Sequence, residues 1–135
     1  MSTYKLRIIT PERVFYDDEV DRIVLKGVEG DMAVLAEHKP LTTILSMGEL
    51  RVYEDRKKYR SATLLGGFAK IEPHEVVILT DAAEWPEEID IERARKAQER
   101  AAERLKQSDL DLVRAEAALQ RAVVRMKVAQ TLKRD

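Results

Sequence analysis

The sequence predicts an α+β chain: an N-terminal antiparallel β-sandwich or flattened barrel, followed by a C-terminal two-helix antiparallel hairpin. Three observations lead there. All five glycines and all four prolines lie at or before Pro86, so turn-forming residues are confined to the first part of the chain. Up to that point short apolar runs are bounded by turn signals, as in strands. Beyond it Ala, Arg and Glu dominate and apolar residues recur every three or four positions, a helical period. The parts divide as residues 1–85 and 86–135.

The strands follow in order. Lys5 to Thr10 alternates, with Leu6 and Ile8 on one face and Lys5 and Arg7 on the other, until Pro11-Glu12 breaks it. Val14 to Tyr16 stops at Asp17-Asp18, and Val20 to Lys26 runs to the turn Gly27-Val28-Glu29-Gly30-Asp31. Met32 to Leu35 and Leu41 to Leu45 flank the polar loop Ala36-Glu37-His38-Lys39-Pro40. Leu50 to Glu54 and Tyr59 to Leu65 bracket a charged tip, Asp55-Arg56-Lys57-Lys58. Phe68 to Glu72 and Val76 to Thr80 bracket Pro73-His74-Glu75. Nine or so short strands at this spacing fit a sandwich or flattened barrel.

In the second part Asp90 is placed to cap a helix running to about Gln107, with Glu92 in the first turn where the dipole favours a carboxylate. Ser108 followed by Asp111 resembles a capping box, so a second helix starts there and runs to about Leu132. The short connection requires an antiparallel hairpin. Its seam reads Leu112, Ala115, Leu119, Ala122, Met126 and Ala129 on one helix and Ile91, Ala94, Ala97, Ala101 and Leu105 on the other. Half of these knobs are alanines. At about 0.8 kcal/mol per buried methylene, such a seam closes more weakly than one of leucines, and a ligand or partner of modest affinity can reopen it. An ordinary alanine-packed hairpin that never switches fits the same residues.

Composition narrows the function. A 44% hydrophobic and 5% aromatic chain of 135 residues supports one domain with an aliphatic core, alone or with an appendage. Lys plus Arg (24) against Asp plus Glu (25) leaves a net charge of -1, which argues against nucleic acid as a partner. The absence of cysteine rules out disulfides and thiolate chemistry. Met1 to Arg7 lacks the apolar core of a signal or transit peptide. No run approaches the roughly 20 apolar residues that span a bilayer, so any membrane association is expected only through a partner.

Enzyme signatures are missing, and no catalytic activity is expected. Gly66-Gly67 is not followed by the Lys-Ser/Thr of a phosphate loop. His38 and His74 sit in expected loops without metal-ligand spacing or a nucleophile elbow for company. One constellation rises above background. Arg114, Arg121 and Arg125 share a helix face at about 100° per residue, as do Arg93, Lys96, Arg100 and Arg104 on the first helix. Closing the hairpin brings these like charges together, which is costly unless an anion lies between them. Phosphate suits that place because guanidinium binds it bidentately. A solvated face with Glu92, Glu99 and Glu103 interleaved as helix partners is the alternative.

The segment Glu29-Gly30-Asp31-Met32-Ala33-Val34-Leu35-Ala36-Glu37-His38-Lys39-Pro40-Leu41-Thr42-Thr43-Ile44-Leu45 resembles the signature of the epsilon subunits of F-type ATP synthases. Thr10-Pro11-Glu12-Arg13-Val14, Gly48-Glu49-Leu50-Arg51, Gly66-Gly67-Phe68 and the Ala-rich tail extend the resemblance over essentially the whole chain. The chain departs from the pattern in having Ala36-Glu37 where the family has Pro-Gly, and Ala33 near the place of a glycine. The resemblance implies a ten-stranded sandwich bound to the gamma subunit and the c-ring. It also implies a mobile regulatory tail that, when extended, meets the alpha and beta subunits and inhibits ATP hydrolysis. A peripheral position on the cytoplasmic face of a bacterial membrane, reached only through the complex, goes with it. Among the sandwich residues Glu29, His38 and Leu41, and in the tail Arg114 and Lys127, become candidates for subunit contact.

Some bacterial members look like ATP sensors with a motif Ile/Leu-Asp-x-x-Arg-Ala. Ile89-Asp90-Ile91-Glu92-Arg93-Ala94 matches it at every specified position. By the same resemblance Glu84 is an upstream acidic contact, and Arg121 and Arg125 reach the phosphates. The implied ATP site is therefore Glu84, Ile89, Asp90, Arg93, Ala94, Arg121 and Arg125, with ATP as a regulatory ligand and magnesium undetermined. A free-standing β-sandwich binding module, dimerising through the Leu112 to Ala129 seam, is the competing reading.

Overall fold

The structure, a computed structural model, describes residues 2–106 and 111–133. It comprises two compact units, Met1–Glu84 and Trp85–Asp135.

The first unit is a single curled sheet. Its strands are β1 (Tyr4–Ile9), β2 (Val14–Val20), β3 (Arg22–Gly27), β4 (Gly30–Leu35), β5 (Leu41–Tyr53), β6 (Tyr59–Ile71), β7 (Glu75–Leu79) and β8 (Ala83–Glu84). They lie in the order β2-β1-β7-β6-β5-β3-β4, with β8 beside β6. β1 shows why these residues make strands: Tyr4, Leu6 and Ile8 are buried while Lys5 is exposed and Arg7 and Ile9 are half-buried. Ile23, Leu25, Val34, Leu50, Val52, Ile71, Val76 and Ile78 fill the rest of a largely aliphatic core. Tyr4 Oη donates to Val34 O at 2.6 Å, tying β1 to the edge strand β4 and folding the sheet into a sandwich. Burial pushes the Tyr4 phenol well above its ordinary range, so it stays a neutral donor at any physiological pH.

The strand count is lower than the sequence reading gave. Leu41–Leu45 and Leu50–Glu54 merge into one 13-residue strand, β5. Tyr59–Leu65 and Phe68–Glu72 merge likewise into β6. Gly66 and Gly67, with φ of 85° and 111°, bend β6 without ending it. Pairing with β5 lapses only at Ser46 and Gly66 and resumes in the same register. Each long strand thus serves both layers of the sandwich. The run from Val20 to Lys26 instead breaks at Asp21, whose N–H donates to Tyr53 O at 2.7 Å. One pair, β1 with β7, is parallel in an otherwise antiparallel sheet. The charged tip is a turn as expected: Asp55 Oδ1 accepts from the N–H groups of Lys57 (2.8 Å) and Lys58 (3.0 Å), which lowers its pKa.

The second unit opens with a 3-10 turn, Pro86–Glu88, and continues as α1 (Ile91–Leu105) and α2 (Leu112–Ala129), closed by a second 3-10 turn, Gln130–Lys133. The first 3-10 turn packs against α2 and the terminal turn. Asp90 caps α1, its Oδ1 accepting from Arg93 N at 3.1 Å. α2 is capped by Asp111, which accepts from Arg114 N at 3.2 Å, so this helix begins three residues later than the capping-box reading placed it. Ser108 itself lies outside the described residues.

Candidate functional site

The hairpin closes on alanine. Ala94 and Ala101 of α1 and Ala115, Ala122 and Ala129 of α2 are all at most 5% exposed, and within each helix they recur at seven-residue steps. The leucine and isoleucine ends of the expected seam stay open: Leu112 is 47% and Ile91 37% exposed. The seam is therefore built from side chains that let two backbones approach closely while burying little apolar area each. A second buried stripe on α2, Val124 and Val128, was not foreseen.

The basic rows take their place from this seam. At about 100° per residue, Arg93, Arg100 and Arg104 lie roughly 80° to one side of the α1 alanines, and Arg114, Arg121 and Arg125 lie roughly 80° in the same sense from those of α2. Antiparallel helices are related by a two-fold axis, and equal offsets under that axis put both rows on the same side of the hairpin. Aligning the two buried alanine stripes antiparallel pairs Ala94 with Ala122 and Ala101 with Ala115, and that alignment puts Arg93 at the level of Val123, between Arg121 and Arg125. Lys96, counted with this row from sequence, falls about 60° further round and stands apart from the cluster.

The predicted ATP residues distribute as follows. Ile89 is half-buried, its N–H donating to Pro86 O at 3.2 Å, and leads into the Asp90 cap. Arg93 is exposed in the first turn of α1, Ala94 is buried in the seam, and Arg121 and Arg125 are half-buried on α2. Among the described residues no carboxylate forms an ion pair with Arg93 or Arg121, whereas Arg95 is held by Glu92 and Lys106 by Glu103. Glu84 belongs to the first unit, where it ends β8 in register with Thr63. Arg114 and Lys127 are exposed on α2.

On the sandwich, Glu29 is exposed in the β3–β4 turn and Leu41 is 42% exposed at the start of β5. His38 is half-buried, with Nδ1 2.7 Å from Lys39 O. The preceding Glu37 has φ 63°, the left-handed conformation that glycine adopts without strain. Glu37→Gly is therefore expected to raise stability by up to about 1 kcal/mol, read as a higher denaturant midpoint at unchanged slope.

Sequence reading missed an apolar row on the sheet surface. Val14, Ile9, Leu79, Phe68 and Ile44 are successive partners across β2, β1, β7, β6 and β5, and Val28 N donates to Ile44 O at 3.1 Å. Apart from the half-buried Ile9, these residues are exposed, from 39% at Leu79 to 63% at Ile44. An apolar band thus crosses the outer face of the sheet, and a shallow depression at it is lined by Phe68, Val77 and Leu79 together with the charged Lys70, Glu72 and Glu75. Sequence periodicity shows which residues share a strand face, but joining five strands into one row needs the register. Among the described residues no cluster of three or more His, Asp or Glu is placed to hold a metal.

Residues 3–86 match the β-sandwich domain of ATP synthase delta/epsilon chains, and residues 87–130 match the long α-helix domain of the same chains. A sodium-ion-specific ATP synthase epsilon chain from Acetobacterium woodii is 52% identical over 109 residues, covering 81% of this chain and 82% of that one. An ATP synthase epsilon chain from Desulforamulus reducens is 42% identical over 130 residues, covering 95% and 98%. Among solved structures, a chain of the Euglena gracilis mitochondrial ATP synthase OSCP/F1/c-ring assembly superposes with a TM-score of 0.73 at 26% identity, covering 99% of this chain and 81% of that one.

Proposed function

The chain belongs to the ATP synthase delta/epsilon-chain family, and on that footing we propose that it is the non-catalytic central-stalk subunit whose C-terminal hairpin responds to ATP. The observation that carries the nucleotide response is the arginine cluster Arg93, Arg121 and Arg125 beside an alanine seam. ATP held there neutralises charges that hairpin closure brings together, so it binds the closed hairpin more tightly than the open one. Without it the hairpin opens, extends and blocks hydrolysis. Moving such an equilibrium from about 1:99 to about 99:1 takes a differential affinity of about 5.5 kcal/mol, within reach of a few charge-assisted hydrogen bonds.

The apolar band supports the docking half of the proposal. It is a face for a stable neighbour, and the Euglena relative was solved in an F1/c-ring assembly. No helix among the described residues is long and apolar enough to cross a membrane, so attachment to the ring would come through that face and the neighbouring turns. A dimerising binding module is disfavoured, because the alanines it would use are already buried within one chain.

A calorimetric ATP titration of the full chain, with scattering to follow its dimensions, tests the nucleotide response. Compaction on binding is expected; dimensions unchanged at millimolar ATP would refute it. Arg93→Ala or Arg125→Ala should weaken ATP binding about 10- to 100-fold, the loss of one charge-assisted contact. In a reconstituted complex, equal ATP hydrolysis with and without residues 86–135 would eliminate inhibition.

A further inference from the structure

The hairpin carries an internal repeat that runs across its two helices. At one constant displacement, Asp90, Arg93, Ala94, Arg100, Ala101 and Arg104 of the first helical segment recur as Asp111, Arg114, Ala115, Arg121, Ala122 and Arg125 of the second. The pattern of Ile89-Asp90-Ile91-Glu92-Arg93-Ala94 is met again by Leu110-Asp111-Leu112-Val113-Arg114-Ala115. The local geometry repeats too. Asp90 has φ -81° and ψ 101° and caps Arg93 N, and Asp111 has φ -68° and ψ 99° and caps Arg114 N.

A repeat laid on two antiparallel helices gives two like ends related by the hairpin's own two-fold axis. At one end Arg93 stands between the levels of Arg121 and Arg125. At the other, Arg114 stands between the levels of Arg100 and Arg104, on the same side. We propose that the end near the connection holds a second phosphate-class anion, gripped by Arg100, Arg104 and Arg114. This rests on the reading of the first cluster as the ATP site. The two clusters are centred on the order of 13 Å apart at 1.5 Å per residue, too far for one triphosphate to fill both.

Charge supports the site. Among the described residues no carboxylate forms an ion pair with Arg100, Arg104 or Arg114: Glu103 is taken by Lys106 at 3.5 Å, and Asp111 by its capping bond. Three guanidiniums lie on one side of the hairpin with no carboxylate ion-paired to them among the described residues, and phosphate oxygens match their donor geometry. The repeat is imperfect where it matters for affinity. Arg121 and Arg125 are half-buried beside Val124, but Arg100 and Arg104 are exposed, with Glu103 in the equivalent place. The second site is therefore the weaker, because its contacts are better screened.

The test is a titration of the full chain in low-salt, phosphate-free buffer, once with inorganic tripolyphosphate and once with ATP. Tripolyphosphate should bind with two equivalents, the second at least 10-fold weaker. Arg104→Ala with Arg114→Ala should abolish the weak equivalent and leave ATP-driven compaction intact. Arg93→Ala with Arg121→Ala should do the reverse, and Arg104→Lys with Arg114→Lys should weaken the second site without removing it. Two equivalents of ATP would identify the ligand as nucleotide; one of ATP against two of tripolyphosphate would identify it as free phosphate chains. A single equivalent of either ligand, unaffected at Arg104 and Arg114, overturns the second site and leaves the ATP reading standing. No binding of either ligand overturns both. Far-UV circular dichroism confirms that each variant keeps its helices.

Discussion

Replacing Gly67 by alanine is expected to destabilise the sandwich by about 3–5 kcal/mol, a large part of the roughly 5–15 kcal/mol by which native domains are stable. Gly67 has φ 111°, a conformation that L side chains rarely adopt. A Cβ there would also lie 2.0 Å from Leu79 O and 2.8 Å from Thr80 Cα. Both obstacles are backbone, so no rotamer change relieves them, and β6 and β7 must separate where Phe68 pairs with Leu79. The conformational penalty alone is about 1–2 kcal/mol, and the steric displacement adds to it. Thermal or urea unfolding followed by a β-sheet signal measures the loss. Gly66→Ala is the informative control: its φ of 85° brings strain, but its nearest obstacle is Leu45 O at 3.9 Å, so it should cost markedly less. Equal losses at the two positions would show that steric contact with β7 is not what fixes the corner.

Replacing Ala122 by leucine is expected to force the hairpin open. Ala122 is 2% exposed, level with Ala94, on a seam that closes only because its knobs are methyl groups. Inserting three more carbons there costs about 1–3 kcal/mol if the helices hold their spacing, and they relieve that cost by moving apart. Few apolar contacts oppose the separation. Hydrogen exchange should then quicken throughout α1 and α2 while β5 and β6 keep their protection, and ATP affinity should fall because Arg93 and Arg121 no longer share a side. Val123→Leu puts the same leucine side chain off the seam, at a position 45% exposed, and should leave both measurements unchanged. Protection retained in Ala122→Leu would mean that the helices hold each other more firmly than methyl-lined packing allows.

Much of this was legible in the sequence, for local reasons. The shift of period near Pro86 rests on residue type alone, and so do the capping Asp90, the charged tip at Asp55 and the alanine positions of the seam. What was misread depended on context. Gly66-Gly67 carries a turn signal, but two glycines beside an unbroken strand pair make a bend rather than an end, and only the ladder with β5 decides between them. The parallel pairing of β1 with β7 joins segments far apart in the chain, so no local signal marks it. Ser108 and Asp111 are both competent caps, and spacing does not say which one the helix takes. The second buried stripe at Val124 and Val128 was hidden because the alanines already accounted for one complete face of α2. Of the candidate site, the motif residues were readable singly. Placing them around Arg93 takes the helix phases and an antiparallel alignment of the seam, and Glu84 stands in the other unit.

The apolar band across β2, β1, β7, β6 and β5 bears on how the free chain behaves in solution. A net charge of -1 gives copies little electrostatic reason to avoid one another, and the band gives them a reason to adhere. Unassembled molecules should therefore cluster as their concentration rises, and charge placed at the centre of the band, as in Ile44→Lys, should keep them dispersed. Colloidal behaviour of the free chain and the docking proposed for it then draw on the same handful of side chains.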